Sequence, residues 1–557
     1  MKRAVCGLAV LCIISGCAKK ETIKPVQAPA VPAAAPAPTL PSVPVATTAP
    51  ESLLAEVTLP EPERNIGRLG ELADAIKPGS GALVSPATLA GALAGMLGAS
   101  SLDGLDLARP VRVLVLDPKT QPKPLVLVAS VADEKVLLAS VAAAPGLAVR
   151  VHEGHAAVAT ETALLQAGDY ALTQLLGQPL PAEPTVNVYL ERVATIFRGE
   201  LDMFKNTVIG AMKERGGHTA AVVEAELAFF EYLVDQSERL VVTLEAAATG
   251  ASLDFALVPR AGATIASFYA AQQPSDYALL GKLPAADVVM FAMAGRVVLG
   301  PWREPALAFV GEAWEKITGK KLGPELLAGF VAMADASTGE SAGVGSLGPK
   351  GDLRAAMLWG TTDPTGLHQV TLSMLAGLKA LGKIDLLGDK VSYDVKPTAF
   401  KYDGVAVTEY TTSFDFSETK AKAVLEKLYG GKAVKGHLGA FDGFMVSAFG
   451  KSSDAFFKAA VDSARRGKNR FDPGLDLAAA LTDSRARKES FVMYMALGEI
   501  MRAAQAAEKK QSFPVIEGPA GMVFALGFAD GSAHFRMTLP AALGRALSVA
   551  RPAGAAE

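Results

Sequence analysis

Residues 240–258 have the sequence LVVTLEAAATGASLDFALV, and residues 522–538 have the sequence MVFALGFADGSAHFRMT. Each stretch holds two runs of aliphatic and aromatic residues on either side of a short segment with glycine, which is typical of a β-hairpin. The ends agree as well, since Val258-Pro259 corresponds to Leu539-Pro540. The two stretches therefore predict the same hairpin twice, once in each half of the chain.

The segments before the two hairpins follow the same order. A strand-like run with a central tyrosine comes first, Val188-Tyr189-Leu190 in one half and Met493-Tyr494-Met495 in the other, and a helical segment follows it. We therefore predict an α+β fold with an internal duplication of a strand-helix unit, built from antiparallel or mixed sheets covered by helices. The copies are predicted at residues 105–280 and 388–551. The alternative is that any alternating α+β chain can be aligned with itself.

The segments outside the copies are assigned by their composition. Residues 61–104 are predicted to be a helical lead-in, residues 281–387 a connector of helices and strands, and residues 552–557 a tail. Half of all residues are hydrophobic, so the body is expected to be globular with large cores. Its best candidate for a membrane span, Val288–Leu299, is shorter than the about 20 residues that a spanning helix needs.

The N-terminal residues have the layout of an export signal. Lys2 and Arg3 precede an uninterrupted run of apolar or small residues, Ala4–Ile14, and Ser15-Gly16-Cys17 follows. This pattern resembles the lipobox of bacterial lipoproteins. The resemblance covers residues 1–17 and implies that signal peptidase II removes residues 1–16, between Gly16 and Cys17. The alternative is an ordinary signal peptide with an incidental cysteine.

The same resemblance implies a lipid anchor at Cys17. Acyl chains such as palmitate on this residue would hold the protein on a membrane outside the cytoplasm, because several chains together form a stable anchor. Ala18 occupies the position where an aspartate favours inner-membrane retention in enteric bacteria. The outer membrane is therefore favoured over the inner membrane. The other cysteines, Cys6 and Cys12, lie within the signal, so the mature chain would have no disulfide and no cysteine ligand for zinc.

Residues 17–60 are predicted to contain the lipidated cysteine and a linker rich in proline and alanine. Eight of the 26 residues from Pro25 to Pro50 are proline, which fixes φ and has no N–H to donate. Such a segment is expected to be extended. At about 3.1 Å per residue, a tether of roughly 30 residues would reach about 90 Å from the membrane.

No group of residues in the sequence predicts catalysis, a cofactor or a metal site. His152-Glu153-Gly154-His155 is the closest approach to a metal cluster, but its glycine suggests a turn. Gly450-Lys451-Ser452 lacks the first glycine of a phosphate-binding loop and is interpreted as a turn between a strand and a helix. Ser417 and Lys420 match a short serine-lysine motif, and a helix N-terminus explains them better.

The predicted function is a non-enzymatic binding or scaffold role in the cell envelope. The 54 basic and 57 acidic residues show no electrostatic footprint for nucleic acid. The expected partners are the membrane, through the anchor, and an envelope protein or an apolar ligand. One alternative is a carrier of lipid, which apolar stripes such as Phe229-Phe230-Glu231-Tyr232 favour unless they belong to the core. A second alternative is a hydrolase whose site has no recognisable motif.

Overall fold

The computed structural model describes residues 49–120, 123–215, 217–348, 352–386, 389–415, 426, 429, 431–507, 516 and 520–549. The predicted signal, Gly16, Cys17 and most of the linker lie outside these residues, as do the tail at 552–557 and the serine-lysine motif of Ser417 and Lys420.

The strands of the described chain form one sheet, and every pairing between them is antiparallel. The strands are β1 (Leu53–Leu59), β2 (Leu105–Asp106), β3 (Val111–Leu116), β4 (Leu125–Val131), β5 (Ala148–His152), β6 (His155–Ala159), β7 (Thr185–Tyr189), β8 (Ser237–Ala247), β9 (Gly250–Pro259), β10 (Val288–Arg296), β11 (Ser337–Leu347), β12 (Leu353–Thr361), β13 (Ile384–Leu386), β14 (Asp389–Tyr402), β15 (Val405–Asp415), β16 (Ala433–Phe441), β17 (Phe444–Gly450), β18 (Glu489–Ala496), β19 (Gly521–Ala529) and β20 (Ser532–Pro540).

Helices connect the strands and cover the sheet. They are α1 (Pro62–Ile76), α2 (Pro86–Leu97), α3 (Glu134–Ala142), α4 (Glu161–Asp169), α5 (Leu190–Ile196), α6 (Arg198–Arg215), α7 (Gly217–Gln236), α8 (Thr264–Ala271), α9 (Arg303–Thr318), α10 (Pro324–Ala336), α11 (Pro364–Ala380), α12 (Ser453–Arg466), α13 (Gly474–Ala486), α14 (Leu497–Ala507) and α15 (Ala541–Val549). The predicted α+β fold with a helix-covered antiparallel sheet is thus confirmed.

The strand order shows the duplication directly. From the middle of the sheet outward, one half has the order β9, β8, β7, β1, β3, β4, β6, β5. The other half has the order β20, β19, β18, β10, β11, β12, β17, β16. These two lists correspond strand for strand in sequence order as well. The second half adds the β14–β15 hairpin and β13 beyond β16.

The two copies begin earlier in the chain than the sequence predicted. By strand order, copy 1 extends from β1 to α8, residues 53–271, and copy 2 extends from β10 to α15, residues 288–549. The segment assigned to the linker therefore contains the first strand of copy 1, and Val288–Leu299 contains the first strand of copy 2. The helical lead-in and the connector are the N-terminal parts of the copies, because each first strand pairs in the interior of the sheet.

The second hairpin turns at Asp530-Gly531 as predicted, whereas the first turns at Ala248-Thr249 rather than at Thr249-Gly250, because Gly250 already pairs in β9. Asp530 and Gly531, between β19 and β20, both have positive φ, of 50° and 74°. Two successive left-handed residues form the type I′ turn that suits the twist of a hairpin. Ala248 and Thr249 occupy the corresponding position between β8 and β9, since Ala247 pairs with Gly250.

The two copies meet through β9 and β20. Asp254 lies opposite Arg536 and Phe255 opposite Phe535 at the centre of this pairing. The last helix of each copy then packs against the first helical segment of the other. Arg545 of α15 donates to the carbonyl of Ala75 in α1, and α8 of copy 1 packs against the 3₁₀ turn that precedes α9 of copy 2. The copies are therefore interlocked rather than merely adjacent.

Helices cover both faces of the sheet in its outer parts. In copy 1, Leu164 of α4 packs on one face and Leu137 of α3 on the other. In copy 2, Phe457 of α12 is fully buried on the face that corresponds to that of α4. Copy 1 thus has a separate apolar core on each side of the sheet.

Candidate binding face

The central strands carry apolar side chains on one face. Paired residues of adjacent strands share a face, so the register defines which side chains lie together. One row across five strands consists of Val186, Val242, Phe255, Phe535 and Leu526. We call the surface formed by this row and its neighbours the apolar face. Its members are Val186, Val188, Leu240, Val242, Leu244, Leu253, Phe255, Leu257, Phe491, Met493, Met495, Phe524, Leu526, Ala533, Phe535 and Met537.

The apolar face is neither a closed core nor an ordinary surface. All its members are intermediate in exposure except Phe535, whose exposed fraction is 43%. The rings of Phe255 and Phe524 lie 6.5 and 5.9 Å from the ring of Phe535, centroid to centroid. Both copies contribute to this aromatic cluster because it lies at the β9–β20 joint. No member of the face has a polar side chain, and the backbone groups of these strands are committed to the sheet.

The opposite face of the same strands is buried and polar. Asp254, His534 and Arg536 are 5%, 2% and 5% exposed. Arg536 donates to both carboxylate oxygens of the buried Glu489, at 2.7 and 2.8 Å. Burial alone would lower the pKa of Arg536, but its hydrogen bonds to Glu489 and the negative charge of that carboxylate raise the pKa above the ordinary value. The guanidinium is therefore charged and held in place. Apolar residues such as Val241, Val523 and Ala525 share this buried face, so charged side chains lie within a partly apolar interior, where they are seldom found unless paired.

Several polar groups of this buried face contact one another, while Asp254 Oδ2 and His534 Nε2 are buried without a hydrogen-bond partner among the described residues. His534 Nδ1 lies 3.3 Å from Asp254 Oδ1, and Ser484 of α13 accepts a hydrogen bond from Arg536. Arg487 forms a two-pronged contact with Glu245 of copy 1, at 2.8 and 3.1 Å. The Asp254–His534 and Arg487–Glu245 contacts tie copy 1 to copy 2, whereas the Arg536–Ser484 contact lies within copy 2. They explain how a charged network is accommodated beneath the apolar face.

A second cluster has the residue types of a hydrolase site. His437 Nδ1 lies 3.0 Å from Ser453 Oγ, and its Nε2 lies 3.5 Å from Glu409 Oε2. Burial lowers the pKa of His437 below its usual value. However, Ser453 and His437 are only 2% and 3% exposed, so a substrate carbonyl has no access to the serine. The cluster was not predicted because its members come from β15, β16 and α12.

The motifs singled out in the sequence have structural roles where they are described. Gly450-Lys451-Ser452 forms the turn between β17 and α12, as predicted. His152 and His155 pair directly across the β5–β6 turn, which places them on one face rather than on opposite faces. No set of three or more histidine, cysteine, aspartate or glutamate side chains among the described residues could hold a metal ion.

The predicted stripe at Phe229-Phe230-Glu231-Tyr232 divides between packing and exposure. Phe229 packs against Phe309, with the ring centroids 5.0 Å apart, and Trp302 Nε1 donates to the hydroxyl of Tyr232 at 2.9 Å. Phe230 is instead 61% exposed. Core packing thus accounts for part of the stripe only.

A shallow groove lies between α11 and β14. Its volume is about 340 Å³, and it is open to solvent along its length. Leu372, Ala376, Val395 and Pro397 line it together with polar residues at its edge. Lys379, at that edge, is already paired with Asp394 at 2.7 Å. The groove is less enclosed than a site that surrounds an apolar ligand, and its volume lies at the lower end of the range for such sites.

The fold is that of a duplicated α+β protein with a half-exposed apolar face at the joint of its copies. The sequence matches no protein-family profile, and no characterised protein is significantly similar to it. Crystal form III of TP0453 resembles the chain with a TM-score of 0.24 and 11% identity, over 50% of this chain and 99% of that chain. Crystal form I of TP0453 gives a TM-score of 0.22 and 10% identity, over 48% and 96%. Such scores carry no functional argument. No helix in the described part of the chain is long and apolar enough to cross a membrane.

Proposed function

We propose that this protein is an envelope lipoprotein that binds the acyl chains of a lipid on its apolar face without catalysis. Acylation of Cys17 would hold the body on a membrane outside the cytoplasm, with the outer membrane favoured. The observation that carries the proposal is the half-exposed row of side chains that includes Phe255 and Phe535 across the joint of the copies.

Hydrocarbon suits this face better than a protein partner does. Protein interfaces contain roughly one hydrogen bond per 100–200 Å² and a polar rim. The apolar face offers no side-chain donor or acceptor, so a protein partner would have to leave its own polar groups unpaired there. An acyl chain has no such groups. Met493, Met495 and Met537 add adaptable side chains that fit ligands of irregular shape.

Binding of a fluorescent long-chain fatty acid tests the proposal. Phe535→Asp places a charge at the centre of the face and is expected to weaken binding by about tenfold or more, a loss of at least 1.4 kcal/mol. Phe535→Ala should weaken it less. Leu475→Asp is the matched control, because Leu475 is 91% exposed on α13, away from the face. A parent protein that binds no fatty acid, or three variants that bind equally, would refute the proposal.

The anchor is tested separately. Cys17→Ser is expected to abolish labelling by radioactive palmitate and to release the protein from the membrane fraction. If the substituted protein stays as firmly associated and neither form is labelled, the proposed anchor is excluded.

A further inference from the structure

Two consecutive helices of copy 1 carry large apolar side chains in solvent. Leu201 and Phe204 of α6 are 48% and 63% exposed, and Phe230 of α7 is 61% exposed. On α6, Leu201, Phe204 and Val208 follow the i, i+3, i+7 spacing of one helix face, and on α7 Leu227 and Phe230 follow the same spacing. Each helix therefore has an apolar stripe, in which Leu201, Phe204 and Phe230 are exposed and Val208 and Leu227 are half-buried. Met203, which is 65% exposed, lies on another side of α6.

The two stripes lie on the same side of the helix pair. Lys205 contacts Glu231 at 2.6 Å and Lys213 contacts Glu224 at 3.6 Å, so the helices are antiparallel and these pairs mark the sides that face each other. An α-helix rotates by about 100° per residue. On both helices, the ion-pairing residues are therefore rotated about the helix axis by about 90° from the stripe, in the direction in which the chain advances. Equal offsets on antiparallel helices place both stripes on one side. The result is a continuous apolar surface, which we call the hairpin stripe.

The tether enters the body at the base of this helix pair. Arg192 of α5 donates to the carbonyls of Pro50 and Leu53, at 2.5 and 2.9 Å, and to that of Ala49 at 3.2 Å. Helix α5 leads directly into α6. The chain that joins the body to Cys17 therefore starts beside the hairpin stripe. In copy 2, the connection that corresponds to α5, α6 and α7 contains α14 in its described part.

We propose that the hairpin stripe lies in the headgroup and acyl boundary of the bilayer that holds the proposed lipid anchor. An apolar helix face with polar flanks sits in that zone of a membrane. The anchored N-terminal segment keeps the stripe within about 90 Å of the surface. The choice of a bilayer as the partner rests on the proposed acylation of Cys17. The existence of the exposed apolar surface does not depend on that acylation.

Flotation with phosphatidylcholine vesicles tests this inference on the processed chain from residue 17 onward with Cys17→Ser, so that no acyl chain contributes. The protein is expected to float with the vesicles. The double substitution Phe204→Asp and Phe230→Asp should reduce the bound fraction by about tenfold or more. Leu475→Asp is the control for charge and should leave binding unchanged. Because Phe204, Phe230 and Leu475 are all exposed, the melting temperatures of the variants should equal that of the parent.

Further outcomes separate this inference from the proposed function. Phe535→Asp should keep vesicle binding while it loses fatty-acid binding, and the double substitution should do the reverse. A parent that stays in the aqueous fraction, or a double variant that still floats, would overturn the inference. So would a dimer that forms without lipid and dissociates on the double substitution, because the stripe would then be a protein interface.

Discussion

The two copies share one strand order but differ in what they bury. On the face covered by α4, copy 1 buries Glu56, Arg112 and Asn187, which are 4%, 5% and 4% exposed. The matching strands of copy 2 have Ala294 and Val492 on this face, both 1% exposed. The strand order therefore does not depend on these polar groups, since copy 2 forms it without them.

The copies also differ in what they add. Copy 1 has the long α6–α7 pair between β7 and β8. Copy 2 instead has the β14–β15 hairpin between α11 and β16. Both additions lie outside the shared order of eight strands. The apolar face, by contrast, is built from strands that both copies possess, and it lies where they meet. The shared frame thus forms the proposed ligand site, and the additions distinguish the copies.

The buried ion pair of Arg536 and Glu489, which lies within copy 2 beside the joint, should be most sensitive to the loss of one charge. Arg536→Ala leaves Glu489 buried without its partner, so we expect the free energy of unfolding to fall by about 3–5 kcal/mol. Urea unfolding of the variant and of Arg109→Ala, whose side chain is 70% exposed, measures the difference. Arg109→Ala should change stability by less than about 0.5 kcal/mol. If both variants lose the same free energy of unfolding, the ion pair of Arg536 and Glu489 contributes no more to stability than an exposed arginine does.

A smaller effect is expected at the polar cluster that copy 1 alone has. The hydroxyls of Tyr170 and Tyr189 donate to Glu56 Oε1 at 2.7 and 2.9 Å. Tyr189→Phe removes one of these hydrogen bonds to a charged group and should cost about 1–3 kcal/mol at neutral pH. Tyr494→Phe, on the corresponding strand of copy 2, is the matched control.

The pH dependence sharpens this prediction. Burial and the charge of Glu56 raise the pKa of Tyr189 well above its usual value near 10. The neutral phenol is thus favoured in the folded protein, so its contribution to stability is complete below pH 10 and is lost as the pH rises above that value. Unfolding curves at alkaline pH should therefore fall less steeply for Tyr189→Phe than for the parent. An unchanged slope would contradict the burial of this hydroxyl.

The smallest effect is expected at His437, one of the buried histidines of copy 2. Burial lowers the pKa of His437 below its ordinary value near 6.5. The unfolded chain then binds a proton more readily than the folded one, so stability should fall as the pH drops below about 6.5. His437→Gln should flatten this fall, and His152→Gln on the solvent-exposed corresponding strand should leave it unchanged. Thermal melts between pH 5 and 7 would show the difference, and identical profiles would count against it.

The sequence predicted those elements whose pattern is local. The central hairpins, the tyrosine-bearing strands and the turn at Asp530-Gly531 were found because strand alternation and turn residues are visible within a few positions. Strands β1 and β10 were not found. The first follows a proline-rich segment and carries Glu56 and Thr58 on its buried face, which hides its alternation. The second is an apolar run that could equally have been helical.

The candidate site could be predicted only in part. The sequence shows that the central strands are apolar at alternate positions. Such positions normally face the core, so the sequence alone would have placed the apolar side chains inside. Here the alternate positions with Asp254 and Arg536 are buried instead. Arg536 donates to Glu489 and Ser484 from other segments of copy 2, and Asp254 Oδ1 lies 3.3 Å from His534 Nδ1. The cluster of His437 and Ser453 was equally invisible, since no local spacing joins residues on different strands.

Cross-linking with a photoreactive fatty acid, followed by peptide mapping, tests the central claim most directly. The label is expected on the peptides of both copies that contain Phe255 and Phe535, and it should be displaced by excess unlabelled fatty acid. Labelling confined to the groove between α11 and β14, or no displaceable labelling at all, would contradict the assignment of the apolar face as the ligand site.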